Sequence, residues 1–248
     1  MESGTVDYLA TISEHSKGLA AAAADNLEAA VAGCPGWSVK DLVAHVIEVH
    51  WFWSTIAEER LQDPPDDSRK PPRPTPDALT ETLLGGAERM VRILRAADWQ
   101  DPVWTWAPGQ RNIGFIARHQ VQEAAIHHWD AVRARGGLLE IGPATATDSI
   151  DEFLTFSVSS DSDPAEPPRP ALDGGFALKC SDRPEVWTVT DGRQPGTVQV
   201  IDGEGSHYPV LIARASDLLL WLYQRIELDL GTVPLDLAER FRALCFTT

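Results

Sequence analysis

The chain has 248 residues, of which 43% are hydrophobic and 23% charged, as in a folded globular protein of one large or two smaller domains. A formal net charge of −16 argues against nucleic acid as a partner, because phosphate backbones are bound by clustered Lys and Arg. No apolar run approaches the ~20 residues of a membrane span. Three widely spaced cysteines and a start without signal-peptide features predict a cytoplasmic protein.

Residues 1–160 are predicted to form helices. An alanine-rich segment from Tyr8 to Gly33 is the first. Ser38, with Asp41 three positions later, is a predicted N-cap for the second helix, and Thr75 followed by Pro76 is the predicted start of the third.

A fourth helix is expected from about Asn112 to Arg135, ending at two glycines, and a shorter fifth over "TDSIDEFLTFSV". Helices with short connections of this kind predict an antiparallel four-helix bundle.

The composition changes after residue 160. Residues 161–175 are rich in Pro, Ser and Asp, which is typical of a linker. Residues 176–248 contain four short strand-like runs, "FALKCSD", "EVWTVTD", "GTVQVIDG" and "YPVLIAR", followed by a helix with Ser216 as its predicted N-cap and by a closing helix. We therefore predict a small α+β domain at the C-terminal end.

Three ionisable residues share one ridge of the fourth predicted helix. His119, Glu123 and His127 are spaced four apart, so they lie one above another among apolar neighbours. Spacing alone favours a solvated face or hydrogen-bonded core histidines over a metal site. His45 favours the metal site, because it lies among Leu, Val and Ile residues of the second helix, where a solvated histidine would be out of place. Together with Glu123 and His127 it would form an open site for Zn²⁺ or a similar divalent ion.

The segments "CPGWSVKDLVAHVIEVHWFW" and "RHQVQEAAIHHWDA" resemble the DinB-like metalloenzymes, and more closely the mycothiol-dependent maleylpyruvate isomerase family. "ASDLLLWLYQR" is similar to the C-terminal signature of that family. The resemblance implies a DinB-like metal-binding four-helix bundle joined to a sterol-carrier-like α+β domain.

The resemblance also implies roles for individual residues. His45, Glu123 and His127 would be the metal ligands. Asp130 and Arg225 would be the catalytic residues. Asp130 would orient a metal ligand without binding the metal itself, and Arg225 would bind a carboxylate of the substrate or thiol. The alternative for Arg225 is a helix C-terminal arginine favoured by the dipole.

Other polar residues receive lesser roles. His119 is the alternative ligand. His128 points away from His127 and is expected to be exposed or to lie behind the ligands, and His50 is poorly spaced to share a metal with His45. Trp104, Trp106 and Arg111 could line the substrate site. No cysteine has a neighbouring histidine in the sequence, so the cysteines are poor candidates for a nucleophile.

The implied function is that of a metal-dependent enzyme that uses a low-molecular-weight thiol, mycothiol in the family, for isomerisation or S-transfer on a small electrophile. The protein would act as a monomer or homodimer. Two alternatives remain at this point. One is a non-catalytic protein that binds a metal or a small ligand, and the other is a hydrolase in which metal-bound water is activated by Asp130 or His119.

Overall fold

The structure, a computed structural model, describes residues 6–107, 109–158, 169–203, 205 and 207–246. The chain divides into two compact units, Met1–Ile141 and Gly142–Thr248. The division falls earlier than the predicted boundary at residue 160, because the fifth helix packs within the second unit. Of the predicted linker 161–175, residues 161–168 lie outside the described part of the chain, and residue 175 already begins a strand.

The first unit is a four-helix bundle. Helices α1 and α2 each pack against both α3 and α4, and to a smaller extent against each other, which is the packing of a bundle. Its core is built from aliphatic side chains such as Leu19, Leu42 and Leu83, which are fully buried. Among the described residues no helix is long and apolar enough to cross a membrane. The helices are α1 (Tyr8–Ala23), α2 (Val39–Glu59), α3 (Leu79–Ala96) and α4 (Ile113–Ala134).

The helix starts follow the local sequence. Ser38 and Asp41 form the predicted capping box on α2, in which each side chain accepts a hydrogen bond from the other residue's backbone N–H. Asn112 caps α4 by accepting from the N–H of Phe115. At Pro76 the prediction is only partly correct, because a single 3₁₀ turn precedes α3.

The predicted first helix is too long. It ends at Ala23 rather than Gly33, and Asp25 adopts a left-handed conformation with φ of 56°. The backbone beyond it pairs with the segment just before α2, with the N–H of Val31 donating to Trp37 O over 2.9 Å and that of Val39 donating to Ala29 O over 2.9 Å. This pairing with a later segment replaces the helical hydrogen bonds that an alanine-rich sequence would otherwise form. It also fixes the turn formed by residues 34–37, "CPGW".

The second unit contains a four-stranded sheet in the order β3-β2-β1-β4, where β1 pairs antiparallel with β2 and parallel with β4. Each of the four predicted strands is confirmed. Phe176 of β1 packs edge-to-face on Phe241, and Phe241 stacks on Trp221, which closes the core of this unit. The elements are α5 (Pro143–Phe156), β1 (Gly175–Cys180), β2 (Val186–Asp191), β3 (Val198–Asp202), β4 (Val210–Ala213), α6 (Ala215–Leu222) and α7 (Leu235–Ala243).

Helix α6 differs from its prediction at both ends. At its start, the N–H of Ala215 donates to Oδ1 of Asp182, a residue distant in sequence, over 2.9 Å. The predicted N-cap Ser216 lies inside the helix. At the other end Gln224 is left-handed, and the N–H of Arg225 donates to Leu220 O over 2.8 Å. This is a Schellman motif. Arg225 therefore lies beyond the helix, not in its last turn.

We predict that Ser38→Ala lowers the free energy of unfolding by about 1 kcal/mol, because the N-terminal N–H groups of α2 lose their side-chain acceptor. The matched control is Thr75→Ala, since Thr75 makes no side-chain capping hydrogen bond. Urea denaturation followed by circular dichroism measures both changes. Equal effects of the two substitutions would contradict the assigned role of the cap.

Candidate metal centre

Helices α2 and α4 bring together the three side chains that the sequence singles out as metal ligands. His45 lies on α2, and Glu123 and His127 lie one turn apart on α4. Oε2 of Glu123 lies 3.3 Å from Nε2 of His127 and 3.9 Å from Nε2 of His45. The rings of His45 and His127 meet edge-to-face with centroids 5.2 Å apart. One donor atom from each residue lies within 4.8 Å of the other two.

Two of these donor atoms are buried without a hydrogen-bond partner. Nε2 of His45 and Oε2 of Glu123 have no partner in good hydrogen-bonding geometry among the described residues, although Oε2 of Glu123 lies 3.3 Å from Nε2 of His127. Leaving a buried polar atom unsatisfied costs about 1–3 kcal/mol, and more for a charged group. A cation bound between them would satisfy both atoms, so the donor set fits a divalent ion.

The spacing of the donors also fits an ion. A tetrahedral Zn²⁺ with bonds of about 2.0–2.2 Å holds nitrogen and oxygen ligands roughly 3.3–3.6 Å apart. The contact between Glu123 and His127 already has this length, and the one between Glu123 and His45 exceeds it by a few tenths of an ångström. The His45 side chain is 27% exposed, whereas that of His127 is 4% exposed. Of the two rings, that of His45 therefore lies nearer the surface.

The charges of the centre are set by burial and by the close contacts. Burial lowers the pKa of His45, which is therefore neutral at pH 7 and able to act as a ligand. Burial by itself would raise the pKa of Glu123, but the neighbouring imidazoles, His127 above all, lower it to about 2. Burial would likewise lower the pKa of His127, but its contacts with Asp130 and Glu123 raise it to about 9. The metal-free centre thus holds a proton on His127 where an ion would bind.

Asp130 lies behind the centre. Its Oδ2 is 3.2 Å from Nδ1 of His127, and its side chain is fully buried. A carboxylate in this position accepts a hydrogen bond from Nδ1–H, which keeps the proton on Nδ1 and leaves Nε2 of the same ring free to bind a metal. Asp130 therefore lies where it can orient the ring of His127.

His119, the alternative ligand, extends the same ridge. Its Nε2 lies 3.8 Å from Oε1 of Glu123, the oxygen that does not face the other two histidines. It is not part of the mutually close donor set found among the described residues. The ring of His119 stacks on Phe115 and meets Trp106 and Trp53 edge-on. His119 thus lies between the metal donors and three aromatic side chains, Trp53, Trp106 and Phe115, which we call the aromatic wall. Trp106 is 41% exposed.

The other two histidines are directed elsewhere. Nδ1 of His128 lies 3.0 Å from Nδ1 of His15 on α1, so His128 is half-buried in the bundle rather than exposed. A Cβ at Gly18 would lie 2.1 Å from this ring, which explains why α1 has glycine there. His50 is buried beside Gly86 of α3.

Cys34 is a residue that the sequence did not identify. Its Sγ lies 3.8 Å from Oδ2 of Asp130, and Cys34, His127 and Asp130 form a second mutually close donor set. The expectation that no cysteine neighbours a histidine is correct along the chain but wrong in space. The available signal was the position of Cys34 at the start of the CPGW turn, directly before the helix that bears His45. The last residue of that turn, Trp37, packs against the His45 ring with centroids 5.1 Å apart.

The remaining predicted residues lie in loops. Trp104 stacks on Trp53 and is partly buried, and Arg111 is exposed. Arg225 belongs to the second unit, where its Nη1 donates to Tyr223 O over 2.9 Å.

These features define a class of protein, namely a four-helix bundle with a candidate divalent-metal centre of two histidines and one glutamate, followed by a small α/β unit. Residues 9–132 match the family model described as the mycothiol maleylpyruvate isomerase N-terminal domain, and the chain belongs to this family. The family read from the sequence motifs is thereby confirmed.

Solved structures share the fold. The crystal structure of the mycothiol-dependent maleylpyruvate isomerase superposes with a TM-score of 0.61 at 14% identity, covering 91% of this chain and 95% of that chain. A histidine-to-alanine mutant of the mycothiol-dependent maleylpyruvate isomerase gives a TM-score of 0.54 at 14% identity, with 87% of each chain covered. At this identity the likeness concerns the fold alone. No curated protein shows significant sequence similarity to the chain.

We predict that the affinity for Zn²⁺ rises with pH by about tenfold per unit between pH 7 and pH 9, because the ion must displace one proton from His127. The rise should level off above the His127 pKa of about 9. Competition titrations against a chelator of known affinity measure this dependence. In Asp130→Asn the plateau should begin at lower pH, since the pKa of His127 then falls. An affinity independent of pH between 7 and 9 would contradict the protonation assigned to His127.

Proposed function

We propose that the chain is a divalent-metal-dependent enzyme that uses a low-molecular-weight thiol, of which mycothiol is the family's example, for isomerisation or S-transfer on a small electrophile. The observation that carries this proposal is the meeting of His45, Glu123 and His127 across α2 and α4, with two of the donor atoms buried and unsatisfied. Family membership and the shared fold support it.

The donor set favours catalysis over storage of a structural ion. Structural Zn²⁺ sites have four protein ligands, whereas catalytic sites have three and leave a position for water or substrate. Of the three ligands, His45 has the most exposed side chain, at 27%. A divalent ion bound there would lower the pKa of a coordinated thiol and so supply a nucleophile at neutral pH.

The protein residues then have separate tasks. His45, Glu123 and His127 hold the ion, and Asp130 fixes the tautomer of His127 through the 3.2 Å contact at Nδ1. The aromatic wall of Trp53, Trp106 and Phe115 presents an apolar surface beside His119, which would exclude water from the reacting groups. Because Asp130 is buried behind His127, it is poorly placed to act as a base for hydrolysis.

The reaction itself would be addition of the thiol sulfur to an electron-poor carbon. In isomerisation the new S–C bond turns a double bond into a single bond, rotation follows, and the sulfur leaves again. In S-transfer the S–C bond persists and another group departs, or a proton is taken up at the neighbouring carbon. Both outcomes need the same nucleophile, so the centre supports either.

Arg225 is proposed to bind a carboxylate of the substrate or thiol. Guanidinium presents a planar pair of donors that matches a carboxylate. Arg225 is only partly buried, and its position beyond the Schellman turn of α6 argues against a role limited to the helix dipole.

We predict that His45→Ala and Glu123→Gln both lose stoichiometric Zn²⁺ and thiol turnover, because each removes one of three ligands. His119→Asn is the matched control, and it should retain the metal. Atomic absorption on dialysed protein measures the metal. On the same samples, a thiol-consumption assay measures S-transfer, and thiol-dependent conversion of the electrophile measures isomerisation. Asp130→Asn should weaken the affinity by about 10- to 100-fold without abolishing it.

Two results would overturn parts of the proposal. Full metal content in both His45→Ala and Glu123→Gln would contradict the ligand set. Normal metal content in the unsubstituted chain, with neither thiol consumption nor thiol-dependent isomerisation of any electrophile tested, would leave a metal-binding protein without catalysis.

We predict that Arg225→Lys raises the KM for a carboxylate-bearing electrophile by about tenfold, because a paired hydrogen bond to a charged group contributes roughly 1.5–3 kcal/mol. Its metal content should not change. Arg193→Lys, at an exposed arginine of the same unit, serves as the control. Unchanged steady-state kinetics in Arg225→Lys would remove this residue from the site.

A further inference from the structure

A second group of donor atoms lies on the far side of His127. Cys34, His127 and Asp130 each offer one donor atom, and these atoms lie within 4.8 Å of one another. His127 contributes to both groups, with Nε2 facing Glu123 and Nδ1 facing Asp130. The imidazole is therefore shared, and its two nitrogens point toward different sets of ligands.

The distances in this group match those around a tetrahedral ion. With Zn–S bonds of about 2.3 Å and Zn–N or Zn–O bonds of about 2.0–2.2 Å, the ligands lie roughly 3.3–3.7 Å apart. Nδ1 of His127 and Oδ2 of Asp130 are 3.2 Å apart, and Sγ of Cys34 is 3.8 Å from the same oxygen. The third pair, Sγ of Cys34 and a ring nitrogen of His127, lies within 4.8 Å, so movements of about 1 Å or less would bring the three atoms to coordination distances.

The backbone holds the group in place. The N–H of Cys34 donates to Val31 O over 3.1 Å, and the N–H of Trp37 donates to Cys34 O over 3.0 Å, so both sides of the cysteine are fixed. The other two donors lie on α4 less than one turn apart, with Asp130 fully buried. Cys34 is partly exposed, which provides a route of entry.

We propose that Cys34, Asp130 and His127 form a second cation site, selective for thiophilic divalent ions such as Zn²⁺, Co²⁺ and Cd²⁺. A thiolate ligand favours these ions over Mg²⁺ and Ca²⁺. Binding displaces the proton of the Cys34 thiol and the Nδ1 proton of His127. When both sites are filled, each nitrogen of the His127 ring would bind one ion, and the ring would be an imidazolate. Because the two ions share this ligand, the second would bind more weakly than the first.

This site is distinct from the one on which the proposed function rests. The two share His127 but differ in every other ligand, so substitutions separate them. Cys34→Ser removes the thiolate and leaves His45 and Glu123 intact, whereas His45→Ala does the reverse. The other two cysteines lie in the second unit, where burial raises the pKa of Cys180 and Cys245 to about 12. They provide matched controls.

The test is a Co²⁺ titration of the reduced, metal-free whole chain without added thiol. We expect a near-ultraviolet thiolate-to-cobalt charge-transfer absorption in the unsubstituted chain that develops with the second equivalent. The absorption should be absent in Cys34→Ser and present in His45→Ala, Cys180→Ser and Cys245→Ser. Its absence from the unsubstituted chain, or its persistence in Cys34→Ser, would overturn the second site. Two equivalents bound by His45→Ala would instead count against the ligand set of the first.

A second measurement needs no substitution. The rate at which iodoacetamide alkylates Cys34, read by peptide mass spectrometry, should fall by about tenfold or more on addition of Zn²⁺, because a bound thiolate is a weaker nucleophile and is shielded. Mg²⁺ at the same concentration should give no protection. Equal alkylation rates with and without Zn²⁺ would contradict the proposal.

Discussion

The candidate metal centre of the bundle depends on one buried carboxylate, that of Glu123. Glu123 ionises inside the seam between α2 and α4, where its described partners are imidazoles rather than Lys or Arg. A buried charge is tolerated only when it is paired or coordinated. The surrounding histidines therefore have a role in stability as well as in metal binding. One of them holds a proton in the metal-free state, and a divalent cation replaces that proton.

The segment before α2 supplies much of the support for this arrangement. Backbone pairing of Val31 with Trp37 and of Ala29 with Val39 fixes the CPGW turn, and the capping box of Ser38 starts the helix directly after it. The turn contacts the centre at two points, since Trp37 packs on His45 and Cys34 approaches Asp130. A short stretch of chain thus sets the position of ligands on both helices.

Much of the fold could be predicted because the signals are local. Ser38 and Asn112 accept hydrogen bonds from N–H groups in the first turns of their own helices, and alternating apolar residues reveal the strands. The errors concern non-local contacts. Helix α1 stops early because a later segment competes for its backbone, and α6 takes its cap from Asp182. Helix α5 joins the second unit because it packs on α6, which its own sequence does not encode.

The sequence by itself determined that His119, Glu123 and His127 share one ridge, since helical periodicity fixes the relative directions of residues four apart. It also indicated that His45 is unusual among its apolar neighbours. Only the tertiary structure decided which oxygen of Glu123 faces which histidine, and that Cys34 approaches both His127 and Asp130. The physical reason is that these relations depend on the rotation and spacing of α2, α4 and the CPGW turn about one another. Packing of distant segments sets those quantities, whereas spacing along the chain does not.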